Sequence, residues 1–160
     1  MAQQLGNDLF LLSKEIEKVA TRYVNDSKID EDMISEVISR TLESDVFKLI
    51  NRIVRKQASA MEILEDLYRL GEDPIKITLL LARQFRIIHQ VKTLQEIGQS
   101  PKSVVKVHPY ALQVAEEQAE NYSLGEIQEH LQTLADLDVQ MKRGEVDKHI
   151  ALDTLILKWL

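Results

Sequence analysis

Apolar positions recur at helical spacing along most of the chain. Leu9, Leu12, Ile16 and Val19 stand at i, i+3, i+7 and i+10, which predicts one face of a helix from about Asn7 to Tyr23. "NDSK" follows as a turn, and Asp30 is placed to cap a second, short helix carrying Ile34, Val37 and Ile38. Ser44 is the expected N-cap of a third, with Val46, Phe47, Leu49, Ile50 and Ile53. The fourth holds Ala60, Ile63, Leu64 and Leu67 and should end at Gly71, because the position just past a helix favours glycine. Asp73-Pro74 supplies an N-cap followed by a proline whose fixed φ suits the first helical position. It opens the longest stretch, "PIKITLLLARQFRIIHQVKTLQEIG", Pro74 to Gly98. Ser100-Pro101 and His108-Pro109 repeat the device for a short sixth helix and a seventh running to about Asn121. Ser123 and Glu126 form a capping box for the eighth, which Arg143-Gly144 ends. The last begins near Asp147 and carries Ile150, Leu152, Leu155, Ile156 and Trp159. About nine helices joined by short turns make an all-α pattern, expected to fold as a compact bundle of antiparallel neighbours.

The Pro74–Gly98 stretch is apolar nearly all the way round, yet it carries Arg83, Gln84, Arg86, His89 and Gln90. At about 100° per residue, Arg83, Arg86, Gln90 and Thr93 fall within a stripe roughly 80° wide. Leu80, Leu81, Phe85, Ile87, Ile88, Val91 and Leu94 cover most of the rest, so the helix is expected at the centre of the bundle. Arg83 and Arg86 then snorkel at its polar rim, pair with carboxylates of adjacent helices, or anchor a subunit interface. Catalysis is disfavoured, since that helix has no carboxylate at useful spacing.

Charge sharpens the picture. The 160 residues carry a formal net charge of -6, which argues against a free-standing nucleic-acid binder. The middle, residues 44–107, is basic, while both flanking parts are acidic. In the acidic last third, Lys142, Arg143 and Lys148 are nearly all the positive charge, gathered in "QMKRGEVDKH", Gln140 to His149. Cations favour a helix C-terminus and acids such as Asp147 the next N-terminus, which explains them without any ligand. Contact with the phosphates of a single strand is the sharper alternative. No apolar run approaches the roughly 20 residues of a membrane span. Met1-Ala2-Gln3-Gln4 lacks the features of a signal peptide. The absence of Cys excludes disulfides and thiolate metal sites and fits the cytoplasm.

Catalytic, cofactor and metal chemistry finds no footing. There is no phosphate loop, no G-x-G-x-x-G and no nucleophile elbow, and the five Gly are accounted for by helix starts, ends or caps. His89, His108, His130 and His149 have no metal spacing and are expected as satisfied surface or rim histidines. Asp136 and Asp138 point about 200° apart on one helix and cannot act as a pair. No catalytic, cofactor-binding or metal-ligating residue is therefore nominated, and the chain is not expected to be an enzyme.

Taken in order, "GNDLFLLSKEIEKVA" (Gly6–Ala20), "SRTLESDVFKLINRIV" (Ser39–Val54), "LYRLGEDPIKITLLLARQFRIIHQVKTL" (Leu67–Leu94), "VHPYALQVAEEQA" (Val107–Ala119) and "LADLDVQMKRGEVDKHIALDTLIL" (Leu134–Leu157) resemble the delta subunit of the bacterial DNA polymerase III clamp loader. The match is to the C-terminal part of that family. The resemblance implies that residues 1–41 are the C-terminal part of a helical AAA+ lid and residues 42–160 the collar, or oligomerisation, domain. The break near Thr41–Ser44 is the candidate domain boundary. The AAA+-like domain that grips the sliding clamp is expected to be missing.

The implied role is structural. Collar domains of the loader subunits assemble into a ring that holds the AAA+ domains around primer–template DNA. The implied partners are the tau/gamma ATPase subunits and delta-prime, with the sliding clamp reached through the missing N-terminal domain. The parent subunit would belong to the polymerase holoenzyme without an active site of its own. Lys142 and Arg143 are the candidate template-DNA contacts, and Arg83 and Arg86 the candidate interface or rim residues. Two other classes stand beside this one: an unrelated helical adaptor, and a helix-turn-helix DNA binder. The acidic run Asp30, Glu31, Asp32 and Glu36 makes a poor recognition helix for the latter.

Overall fold

The computed structural model describes residues 9–24 and 42–160, and every element among them is helical. The helices are α1 (Leu9–Arg22), α2 (Leu42–Val54), α3 (Ser59–Arg69), α4 (Pro74–Glu96), α5 (Pro101–Val104), α6 (Pro109–Ala119), α7 (Leu124–Arg143) and α8 (Lys148–Trp159). Contacts group the chain into two units, residues 1–44 and 45–160. In the first unit, α1 buries Val19 while Ile16, about 60° away on the helical wheel, is half exposed. Ile16 thus marks the edge of the apolar stripe rather than its centre. The short helix expected from Asp30 lies outside the described residues.

The second unit is built around α4. This helix packs against α5, α6, α7 and α8. Ile77, Leu81, Phe85, Ile88 and Val91 are fully enclosed. The start of α4 follows from local chemistry. Asp73, in extended conformation, accepts a hydrogen bond from Ile75 N at 2.8 Å, and Pro74 takes the first helical position, where it has no N–H to leave unpaired. Upstream, Gly71 adopts a left-handed φ of 82°. That lets Gly71 N donate to Tyr68 O and Glu72 N to Leu67 O, satisfying the last carbonyls of α3 and turning the chain directly into α4.

Polar groups on α4 sort by position. Arg83, Arg86 and Gln90 are exposed, as their shared stripe requires. Thr78 is buried, and its hydroxyl donates back to Pro74 O at 2.9 Å. Gln84 is also buried, between Leu81 and Ile88 on the core face. Its Nε2 donates to Gln118 Oε1 at 2.8 Å, and Gln118 Nε2 donates to Asn51 Oδ1 at 2.7 Å. The two glutamines therefore tie α4 to α6 and α2 through a polar thread in an apolar core.

Two helix limits differ from the sequence expectation. α2 begins at Leu42, so Ser44 stands inside its first turn and not at the cap. Leu42 and Glu43 are good helix formers, and no Gly or Pro stops the helix from extending back to them. α6 ends at Ala119, two residues before Asn121.

Replacing Phe85 with Ala should cost about 3–5 kcal/mol, because the ring is fully enclosed and a cavity would remain. Arg83→Ala should cost much less, as expected of an exposed rim residue. Urea denaturation of both variants checks this; equal, large losses would contradict the rim placement of Arg83.

Candidate functional site

Lys142 and Arg143 occupy the last turn of α7. Gly144 follows with a φ of 70°, a left-handed value that only glycine adopts without strain. Its N–H donates to Met141 O while Glu145 N donates to Gln140 O, closing the helix. Three residues later Asp147 caps α8, its carboxylate accepting from His149 N and Ile150 N, both at 3.0 Å. Those bonds, Ile150 N first, hold the Asp147 carboxyl below the usual carboxylate range. The connection is thus short and locally ordered by its own backbone. Lys142 Nζ meets Asp138 Oδ2 at 2.7 Å, one turn back, and Arg143 lies 3.6 Å from Glu145. Both cations remain exposed. Each is accounted for by a helix end and an acidic neighbour, and each stays accessible to a phosphate.

Lys148 departs from these two. Its Nζ reaches across the bundle to Asp73 Oδ2 at 2.6 Å, joining the start of α8 to the cap of α4. That bond is the main reason the Asp73 carboxyl sits below its ordinary value; the Ile75 amide adds to it. Beside this pair, Tyr68 Oη donates to Asp153 Oδ1 at 2.9 Å, and the Tyr68 ring meets His149 edge-on at 4.7 Å. Burial, then the Asp153 bond, pushes the Tyr68 hydroxyl well above the usual phenol range. Tyr68, Asp73, Lys148 and Asp153 therefore clasp α3, α4 and α8 at one end. Sequence spacing could not show this, because Tyr68 and Asp153 are 85 residues apart.

His130 corrects the expectation of surface or rim histidines. It is half-buried within a cluster of rings formed by Phe85, Tyr122 and Trp159. The signal was present: Ile127, His130 and Leu134 stand at i, i+3 and i+7, on the core face of α7. His108 is also structural, its Nδ1 accepting from Tyr110 N at 3.3 Å to cap α6. Among the described residues no group of three or more His, Asp or Glu is arranged to hold a metal, and no helix is long and apolar enough to cross a membrane. The helix-turn-helix alternative rests on Asp30–Ser39, outside the described residues.

The outer side of α8 carries two apolar residues. Ile150 and Leu157, seven residues apart on α8, are 68% and 58% exposed, and Thr154 lies exposed between them. They lie on the side of α8 opposite its buried Leu152, Leu155 and Ile156.

Comparison with known proteins gives a consistent result. The family model described as the DNA polymerase III delta subunit, C-terminal domain, matches residues 43–159. DNA polymerase III subunit delta of Bacillus subtilis (strain 168) is 36% identical over 160 residues, covering 98% of this chain and 46% of that protein. A solved structure, the DNA clamp loader delta protein of Bacillus subtilis, superposes with a TM-score of 0.88 at 34% identity. It covers 99% of this chain and 48% of its own. The chain thus spans about half the length of the relatives it matches.

The Asp73–Lys148 pair makes a pH-dependent prediction. The folded value of Asp73 lies below the ordinary 3.8, so its contribution is fully present above that value and is lost as the pH falls through the folded one. Lys148→Met should lower the urea midpoint slightly at neutral pH, since exposed pairs contribute little. The variant and the parent should converge as the pH drops below the ordinary aspartate range. A difference that persists there would mean that Lys148 acts through packing and not through Asp73.

Proposed function

Because the chain belongs to the DNA polymerase III delta-subunit family, we propose that it serves DNA replication as the collar of a clamp-loader delta subunit. Residues 42–160 form the collar domain, and residues 1–41 are the C-terminal part of the helical lid. The collar joins the tau/gamma ATPase subunits and delta-prime, so that the loader can place a sliding clamp on primer–template DNA. The clamp itself is met by a domain N-terminal to this one, and the complex acts in the cytoplasm.

One observation carries the reading: the family match over residues 43–159 coincides with a bundle that is filled by α4 yet leaves Ile150 and Leu157 exposed. A helical bundle without catalytic motifs and with short connections suits a scaffold better than a site of chemistry. In this role the outer stripe of α8 meets a neighbouring subunit. Arg83 and Arg86, exposed on α4, are further candidates for a subunit contact, since arginine is enriched in interfaces. Lys142 and Arg143, exposed at the end of α7, meet the template strand.

Two measurements test this. The Ile150→Asp, Leu157→Asp double variant should keep its helical circular dichroism but no longer co-elute with the ATPase and delta-prime subunits. Undiminished co-elution would remove α8 from the interface. Replacing Lys142 and Arg143 with Ala in the assembled loader should weaken primer–template binding. Each lost phosphate contact should reduce the slope of log K against log salt by roughly 0.7 for a single strand. An unchanged slope and affinity would leave these cations as helix-end stabilisers only.

A further inference from the structure

His130 sits where α4, the α6–α7 turn and α8 converge. Its ring lies 4.3 Å from Trp159, 5.1 Å from Phe85 and 5.4 Å from Tyr122, measured between centroids. Phe85 also touches Tyr122 and Trp159, at 5.7 and 5.6 Å, so the four rings form one closed cluster. Within it, His130 Nδ1 and Tyr122 Oη are buried with no hydrogen-bond partner. Of the four rings, only the imidazole gains a charge near neutral pH.

We propose that His130 is an acid-sensitive latch that holds the last turn of α8 on the bundle through Trp159. The neutral ring fills the space between Trp159, Phe85 and Tyr122. Protonation places a charge in that space, and the imidazolium must carry a hydrogen on Nδ1 that nothing accepts; both are unfavourable in an apolar surrounding. Attraction of the cation to the indole face works in the other direction. The rings are tilted by 43° rather than stacked flat, and the orphaned Nδ1 is not relieved by that contact.

Among the described residues, the charged groups that act on His130 both lie on its own helix. They are Glu129 and Glu126, and both are exposed. Glu126 is kept ionised by the Ser123 capping box, backbone bond first, and also feels Lys56. From α4 come uncharged Phe85 and, beside Gln128, His89. From the α6–α7 turn comes Tyr122, whose hydroxyl burial pushes far above the usual phenol range. From α8 comes Trp159, next to exposed Lys158. Among the described residues, both carboxylates that act on His130 are thus exposed, and their attraction favours an imidazolium turned towards solvent.

Upstream of Trp159, α8 is held by other contacts. Leu152, Leu155 and Ile156 are buried, and Asp153 is held by Tyr68. Burial keeps the His130 imidazole below its ordinary 6.5 despite the two glutamates. The folded value lies under the unfolded one, so closure is complete above 6.5 and is lost as the pH falls towards the folded value. This device does not depend on the clamp-loader reading.

Trp159 is the single tryptophan of the chain, so its emission reports the latch directly. The protein and its His130→Phe and His130→Gln variants are titrated from about pH 8 to about pH 5, where histidine changes charge. Far-ultraviolet circular dichroism verifies the fold of each. In the parent, emission should move reversibly to longer wavelength. Amide protection of residues 156–159, corrected for the intrinsic pH dependence of exchange, should fall several-fold. Both readouts should stay flat in the two variants. A flat parent overturns the proposal. So does quenching of Trp159 without loss of protection, which would mean that the charged ring stays in place. A transition that persists in both variants overturns it as well.

Discussion

A helix enclosed on nearly every side has few places to leave a polar group, and α4 imposes that constraint on the rest of the unit. Its backbone ends leave amides and carbonyls that the helix itself cannot pair, and local groups satisfy them. Asp73 and Pro74 do so at one end. At the other, Gly98 N donates to Gln95 O and Gln99 N to Leu94 O. Its polar side chains must either reach the rim, as Arg83 and Arg86 do, or find a partner inside, as Gln84 does in Gln118. The helices around α4 present apolar faces inward to cover it, and their outward faces are mostly polar, α8 with Ile150 and Leu157 apart.

That arrangement decides what the molecule is suited to do. Within residues 42–160 the connections between helices are short, and four of them carry a cap: Asp73, His108, Ser123 and Asp147 each bind the backbone of the helix they start. Little loop remains to shape a pocket for chemistry. The surface can instead offer a rigid helix face, and α8 offers Ile150 and Leu157. Membership of the delta-subunit family fits a body of this kind.

Much of this was legible in the sequence because the signals are local. Asp73-Pro74, the Ser123–Glu126 box and Gly144 act within a few residues, and the structure has each where the spacing put it. The all-round apolar pattern of Pro74–Gly98 marks the central helix without reference to any contact. The start of α2 was misplaced because Ser44 is a strong cap by type, while nothing in Leu42-Glu43 opposes a helix. The Tyr68–Asp153 bond and the Gln84–Gln118–Asn51 thread were not legible, since each joins helices far apart in the chain. His130 lay between: its core-facing position could be read from Ile127 and Leu134, but its ring neighbours could not. The roles of Lys142 and Arg143 depend on what lies outside the bundle, and no pattern within the chain encodes that.

Native-state hydrogen exchange tests most directly whether α4 is the axis on which the unit depends. If it is, amides of residues 77–91 should exchange only through global unfolding. Their opening free energies should equal the value from urea denaturation and fall with it in parallel as denaturant is added. Amides of α8 and α2 should show lower openings in addition. Exchange of residues 77–91 through a sub-global opening, at a free energy below that of α2 or α8, would contradict the account.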